Sequence, residues 1–580
     1  MSGVAHLLVM LMTPLAPLAL GLTVLLAPSS RALQAAAVLA PLPALATSVA
    51  MPSGIGATLP WLLEGSEFGL DPIGRTFLLA ASAIWLAAAL FAVGAPPEHA
   101  RGRFFAFFLF AMAGNLGLIV AQDMLAFYLF FSLMSFSAYG LVVHDGSRAA
   151  RRAGSVYIAL VVAGDMMLYA ALVPAALDAG GAVMFDEVRA SIARSPHRDL
   201  VVALTLAGFG VKAGVLGLHV ALPLIYRAAP TPAAGALAGA MVHAGLLGWL
   251  RLLPLGNEAD AWGVVLVGVG LGGTFYGAVV GTLQRDARSV LAYSSISQMG
   301  IMLAGIGAAL ASPRAAGTIA AALALYALHH AFAKGSLLLG VGVAAGPRTG
   351  RIGRGAARAG LLLPALALPG VPLTSGMPAK ESLKEAVVAA DSVAATLLAE
   401  LLPWTAVATT LVVARFLQIA WPLSGDQRST SPVAAFAWGL TLVGVAAATW
   451  AQPLATALDL WHLDVLVELM WPVLLGAAIA FAAARYARRV RHVPWVPPGD
   501  LALPVGRFAR GALDAWTDFA YGPLPDARNR VRDTSTVALR DRRWGAAAQS
   551  IEGWLRPWGT AVILLVVVTL VLIWLSPAGR

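Results

Sequence analysis

No cysteine occurs anywhere in this chain of 580 residues. That excludes disulfides, thiolate chemistry and cysteine-held iron–sulfur or zinc centres. Charge is nearly as scarce: Asp, Glu, Lys and Arg make up 12% of the residues, against 59% hydrophobic. A soluble domain carries about twice that charge. With a mean hydropathy of +0.80, the chain reads as an all-α polytopic membrane protein. The net charge of +10 is no nucleic-acid signal, because the arginines fall in short loops between apolar segments, where membrane topology uses them. No nucleotide-binding motif stands out, and no cofactor or metal is expected. The N-terminus lacks a basic region, and residues 4–27 are long enough to span and stay, so no cleavable signal peptide is expected.

What is present is a succession of apolar stretches of spanning length, ~20 residues each. They fall near 4–26, 32–50, 74–95, 104–121, 124–143, 154–177, 200–222, 232–254, 262–283, 289–311, 316–345, 359–397 (interrupted), 402–423, 432–450, 468–487 and 558–576. The expectation is about sixteen transmembrane helices. Loops after odd-numbered stretches carry arginine, as at Arg101, Arg103, Arg148, Arg151, Arg152, Arg285 and Arg288; loops after even ones are acidic or mixed, as at Glu64, Glu67, Asp71, Asp123, Asp459 and Asp464. Arginine-rich loops stay cytoplasmic, which places the N-terminus outside.

The chain divides into N-terminal helices (1–103), one helical bundle (104–254), a second (262–423), additional helices (432–489) and a basic segment (490–557), followed by a last span (558–580). The basic segment interleaves arginines with Trp516, Phe519, Tyr521, Trp544 and Trp554. It reads as an amphipathic stretch on the cytoplasmic membrane surface or against a partner, the alternative being a disordered basic linker.

Three lysines sit where lysines are rare. Lys212 lies in Ala207-Gly-Phe-Gly-Val-Lys-Ala-Gly-Val-Leu-Gly-Leu-His219, with no acidic residue within ten positions. A cation at bilayer depth costs roughly 3 kcal/mol on insertion scales, so it must face a cavity or a partner; a snorkelling lysine near a helix end is the alternative. Lys334 closes Leu328-His-His-Ala-Phe-Ala-Lys334, in which His330 and Lys334 share a helix face beside His329. Two adjacent histidines on one helix chelate a metal poorly. Lys380 begins a more polar stretch with Glu381, Lys384 and Glu385, which also fits an ordinary charged helix end.

Proline and glycine interrupt two helices, at Leu222-Pro223 with Pro230-Thr-Pro232, and at 368–378 before Lys380. Broken helices in corresponding halves point to ion sites between inverted repeats. His243 lies mid-span after the first break and can relay protons or serve as a structural residue. Asp165, in Val162-Ala-Gly-Asp-Met-Met167, is the best carboxylate to pair with Lys212, or else a structural acceptor.

Gln284-Arg-Asp-Ala-Arg-Ser-Val-Leu-Ala-Tyr-Ser-Ser-Ile-Ser-Gln-Met-Gly300 resembles the signature loop and helix of the antiporter-like subunits of respiratory complex I, of Mrp-type cation/proton antiporters and of membrane-bound hydrogenases. Val211-Lys-Ala-Gly, His219, Pro230-Thr-Pro232, His330-Ala-Phe-Ala-Lys334 and Leu373-Thr-Ser-Gly-Met-Pro-Ala-Lys380 follow the family's order, and Leu70-Asp-Pro-Ile-Gly74 resembles its entry to the third helix. The resemblance covers roughly residues 65–425. It implies two inverted five-helix repeats, each with a broken helix and a half-channel. It further implies a proton path through Lys212, His243, His330, Lys334 and Lys380, with Asp165 where some members carry a second acid. His219, His329, Asp286 and Ser132 would support that path.

One position departs from the pattern. The family's fifth helix carries a glutamate that pairs with the broken-helix lysine, and here Ser132 occupies it. Met377-Pro378 also replaces a pair that is often aromatic and small.

The implied function is translocation of protons, with sodium as the other cargo, by one membrane subunit of a multisubunit respiratory, hydrogenase or antiporter complex. The chain would have no redox centre of its own, its partners being other membrane subunits in a bacterial inner membrane. The alternatives are an energising subunit for inorganic-carbon or other solute uptake, and a structural paralogue that no longer conducts.

Overall fold

The computed structural model describes residues 3–487 and 496–499, apart from positions 53, 55, 61, 63–64, 258, 346–350, 423–430 and 451–462. The basic segment 490–557 and the last span 558–580 therefore lie outside the described residues, save for 496–499. The chain divides into two compact units, one of residues 1–58 and 67–499, the other of 59–66 and 500–580.

The first unit is built of helices: α1 (Gly3–Leu26), α2 (Arg31–Ala36), α3 (Leu42–Ala50), α4 (Pro72–Gly94), α5 (Arg101–Val120), α6 (Met124–Val142), α7 (Arg148–Asp178), α8 (Phe185–Arg194), α9 (Arg198–Ala213) and α10 (Ala221–Ala228). There follow α11 (Thr231–Ala236), α12 (His243–Leu252), α13 (Asp260–Thr282), α14 (Ala287–Ala311), α15 (Ala316–Ala344), α16 (Arg351–Ala367), α17 (Gly376–Val388), α18 (Val393–Ala420), α19 (Pro432–Ala447) and α20 (Leu463–Ala487). Among the described residues, twelve helices are long and apolar enough to cross a membrane.

Several sequence expectations shift. The stretch 32–50 is two short helices, α2 and α3, and not one span. The stretch expected at 402–423 starts earlier, at Val393, with Pro403 taken into α18. A ten-residue helix, α8, stands where no element was expected; it buries Phe185, Val188 and Ile192, one stripe at helical spacing. The chain is also not purely helical, for a short two-stranded hairpin joins Gly56–Leu59 to Ser66–Gly69.

The centre is made of helices buried on every side. All of the most apolar window of the Thr231–Leu252 segment is buried, and so is that of α14. Such helices must be apolar all round, and their few polar groups need partners inside the protein. Close packing comes from small residues. A Cβ on Gly270 of α13 would lie 2.4 Å from the Gly300 carbonyl of α14, and the converse holds at the same distance, so the two backbones touch directly.

One end of the bundle is pinned by an ion pair that sequence reading missed. The buried Arg251, at the end of α12, donates to Asp71 Oδ2 at 2.8 Å and to the carbonyls of Leu118, Ile119 and Ala121 at 2.6–3.0 Å. It thereby caps the C-terminus of α5 and ties it to α4, whose N-cap is Asp71. Burial by itself would raise the Asp71 carboxyl, but Arg251 and the Gly74 N–H outweigh it and hold it below its ordinary value.

Candidate proton-relay site between two broken helices

The first break lies nearer to Lys212 than the prolines suggested. Helix α9 ends at Ala213; Gly214 (φ 74°) closes it in the left-handed conformation, and its N–H bonds to the Gly210 carbonyl at 2.8 Å. That is a glycine C-cap. Gly217 (φ 91°) continues the irregular stretch, and Pro223 sits in the first turn of α10, where proline is tolerated. Lys212 is thus not mid-helix. It occupies the last turn of α9, where the helix dipole favours a cation.

Lys212 is buried and does not pair with Asp165. Its Nζ donates to the Tyr157 hydroxyl at 3.0 Å, and that hydroxyl donates to the Ser135 carbonyl at 2.9 Å. Asp165 accepts from Ser132 Oγ at 3.0 Å. Lys212, Tyr157 and Asp165 all line one cleft, and Asp165 is the single carboxylate on its wall among the described residues. The serine at the family's glutamate position therefore holds a carboxylate supplied by the next helix, α7.

Between α11 and α12 the chain makes one π-helical turn, Leu237–Met241. Such turns gather at functional sites because they free backbone groups and re-aim side chains. The Lys212 cleft touches Leu237, Met241 and Val242. A second cavity, with about 290 Å³ of empty space, touches Gly239, Ala240 and His243 together with the buried Asn115. The π-turn thus separates the two spaces. His243 Nε2 lies 2.8 Å from His330 Nδ1 on α15, the one direct bridge between histidines in the two bundles among the described residues.

The second bundle continues from there. His329 Nδ1 bonds Ser375 Oγ at 2.9 Å, which ties α15 to the second break. This break runs from Leu368 to Ser375, as expected from the sequence, between α16 and α17. Gly370 (φ 90°) turns it, and Leu373 holds a left-handed φ of 69°, a strain of order 1 kcal/mol for a residue with a side chain. A Cβ on Gly376 would collide with the Ala367 carbonyl. Lys380 follows in the second turn of α17, buried, and donates to the Pro369 carbonyl inside the break at 3.0 Å.

The remaining expected residues fall beside this line. Lys334 is fully buried and donates to the Leu291 carbonyl of α14 at 2.9 Å. Asp286 is the N-cap of α14, accepting from the Ser289 backbone and hydroxyl. His219 lies in the first break, accepting from the Gly217 N–H at 3.2 Å, its ring 5.1 Å from that of Tyr276. Sequence reading missed Tyr157, Ser375 and a buried bridge in which Tyr326 donates to Gln298 and Gln298 to Thr409. These link positions 28 to 111 apart, and no local pattern marks them.

The fold and this constellation define a polytopic membrane protein with two broken helices beside buried polar groups. Residues 121–402 match the family described as NADH:quinone oxidoreductase/Mrp antiporter, TM. A protein of Staphylococcus saprophyticus named as an antiporter subunit, mnhA2, is 29% identical over 367 residues, 59% of this chain and 46% of that protein. NADH-quinone oxidoreductase subunit N of Desulforudis audaxviator is 29% identical over 296 residues, 48% of this chain and 55% of that one. The chain spans about half the length of these relatives. Among solved structures, a chain of the membrane-bound sulfane sulfur reductase, an archaeal respiratory membrane complex, shares the fold with a TM-score of 0.67 at 22% identity, over 96% of this chain and 99% of that one.

Proposed function

We propose that this chain translocates protons as one membrane subunit of a multisubunit respiratory, hydrogenase or antiporter complex. The observation that supports this reading most is the His243–His330 bond between the two bundles, with Lys212 and Asp165 buried by the first break and His329–Ser375 and Lys380 buried by the second. Ionisable groups at such depth are expensive to keep and mark ion paths. Residues 104–254 and 262–423 act as two half-channels on this reading, with the N-terminus outside. Lys334, fully buried on α15 and donating to the Leu291 carbonyl, belongs to the same path on this reading. Sodium is the competing cargo, and proton flux measured with and without sodium separates the two.

The Ser132–Asp165 bond supports a working first half-channel, since a carboxylate reaches the place where the family's glutamate is missing. A non-conducting paralogue has no need of it.

The test is proton flux in proteoliposomes that hold the complex purified through this chain. Lys212→Ala and Lys380→Ala are each expected to lower flux about 100-fold, equivalent to roughly 2.7 kcal/mol. Intact flux in both variants would sink the axis.

A further inference from the structure

Beyond Lys380 the buried line has no described continuation to water, yet a set of charged groups stands one turn further along α17. Lys384 lies four residues after Lys380, on the same helix face. It donates to Glu381 at 3.4 Å and to Glu468 of α20 at 2.6 Å. Side-chain exposure rises in steps, from 9% at Glu381 to 25% at Lys384 and 56% at Glu468. Glu381 is the anomaly. It is almost wholly buried, its one ion-pair contact is the longer of Lys384's two, and its second oxygen, Oε2, is buried without a partner. A half-satisfied buried carboxylate destabilises a fold, so its retention calls for a use. Glu385, exposed on the same turn, adds negative charge nearby.

We propose that Glu381, Lys384 and Glu468 form the exit through which a proton leaves Lys380 for the aqueous face, with α20 supplying its outer group. The proposal rests on the axis reading. The Lys380 ammonium gives its proton, through water, to the Glu381 carboxylate and becomes a neutral amine. The Glu381 carboxyl then releases the proton outward and is a carboxylate again, while Lys384, held by Glu468, keeps the two acids apart. Glu468 lies outside residues 121–402, the segment that matches the family model.

The experiment is passive proton flux, driven by a potassium–valinomycin potential, in proteoliposomes carrying the complex purified through this chain. Glu381→Gln is expected to lower flux at least 10-fold and Glu468→Gln 2- to 5-fold. Glu381→Asp should recover at least half, because it keeps the titrating group. Glutamine keeps an acceptor for Lys384 at the same reach and aspartate does not, so a purely structural role would be served by Gln better than by Asp. Should Glu381→Gln fail to accumulate, Glu468→Gln and Glu381→Asp carry the test alone, and wild-type flux in Glu468→Gln then overturns the exit. Wild-type flux in Glu381→Gln beside lost flux in Lys380→Ala overturns the exit and leaves the axis standing. Wild-type flux in Lys380→Ala overturns both.

Discussion

The two lysines beside helix breaks look alike in sequence and are built in opposite ways. Lys212 comes before its break, in the last turn of α9, where the helix dipole favours its charge. Lys380 comes after its break, in the second turn of α17, near the end where the dipole opposes a cation. Lys212 rests on a hydroxyl, Tyr157, with a carboxylate across a cleft. Lys380 rests on a backbone carbonyl of the break itself, Pro369. The first site has two side-chain groups, a hydroxyl and a carboxylate, on one cleft wall. The second rests on the backbone of the break in which the left-handed Leu373 also lies. Two similar sequence patterns have thus given one lysine a side-chain partner and the other a backbone partner.

The sharpest way to break this comparison is at the acid. Asp165→Asn should lower proton flux about 100-fold, as much as loss of Lys212, since no other carboxylate among the described residues lines that cleft. Adding Ser132→Glu in the same chain should restore flux to within about 10-fold of wild type, because the carboxylate returns to the position the serine now holds. Unrestored flux in the double variant would mean that the acid must sit on α7. A smaller effect is expected from Tyr157→Phe, which removes the resting partner of Lys212: about a 10-fold loss in flux, with Lys380-dependent steps unchanged. Equal flux in Tyr157→Phe and wild type would remove the tyrosine from the path. The smallest effect on flux belongs to Arg251→Met, which leaves Asp71 and three carbonyls without their donor. Breaking one side of a fully buried pair destabilises by about 3–5 kcal/mol; Asp71 is 34% exposed, so the loss is smaller, and a lower unfolding temperature in detergent is the expected readout. The pH dependence has a definite sign. The Asp71 carboxyl is held below its ordinary value, so the pair's contribution is complete above about pH 4 and is lost as pH falls through that lowered value. Arg251→Met should lose this acid sensitivity.

Much of this was legible in the chain. Three lysines in apolar surroundings, two interrupted helices and the signature at 284–300 led to the family, and the second break lies where its prolines and glycines put it. The first break did not, because prolines drew attention to 222–232 while Gly214 and Gly217 do the turning. That displacement moved Lys212 from the middle of a helix to its end. Asp165 was readable as the missing acid, but its bond is with Ser132 and not with Lys212. Tyr157, Ser375 and Arg251 were not readable. A tyrosine, a serine or an arginine at a helix end is ordinary in a membrane chain, and only partners 22 to 180 positions away give them meaning. The α8 helix and the hairpin escaped because both are too short to leave a spanning-length pattern.

The direct backbone contact between α13 and α14 also has a mechanical consequence. Gly270 and Gly300 meet with no side chain between them, so neither helix can slide or roll past the other without a collision. These two helices form a keel. On the transport reading, backbone movement falls to the two breaks that flank it, at 214–220 and 368–375. Bulk added at the keel, as in Gly300→Ala, would act on both breaks at once, whereas the same methyl group placed in one break would act on that half alone.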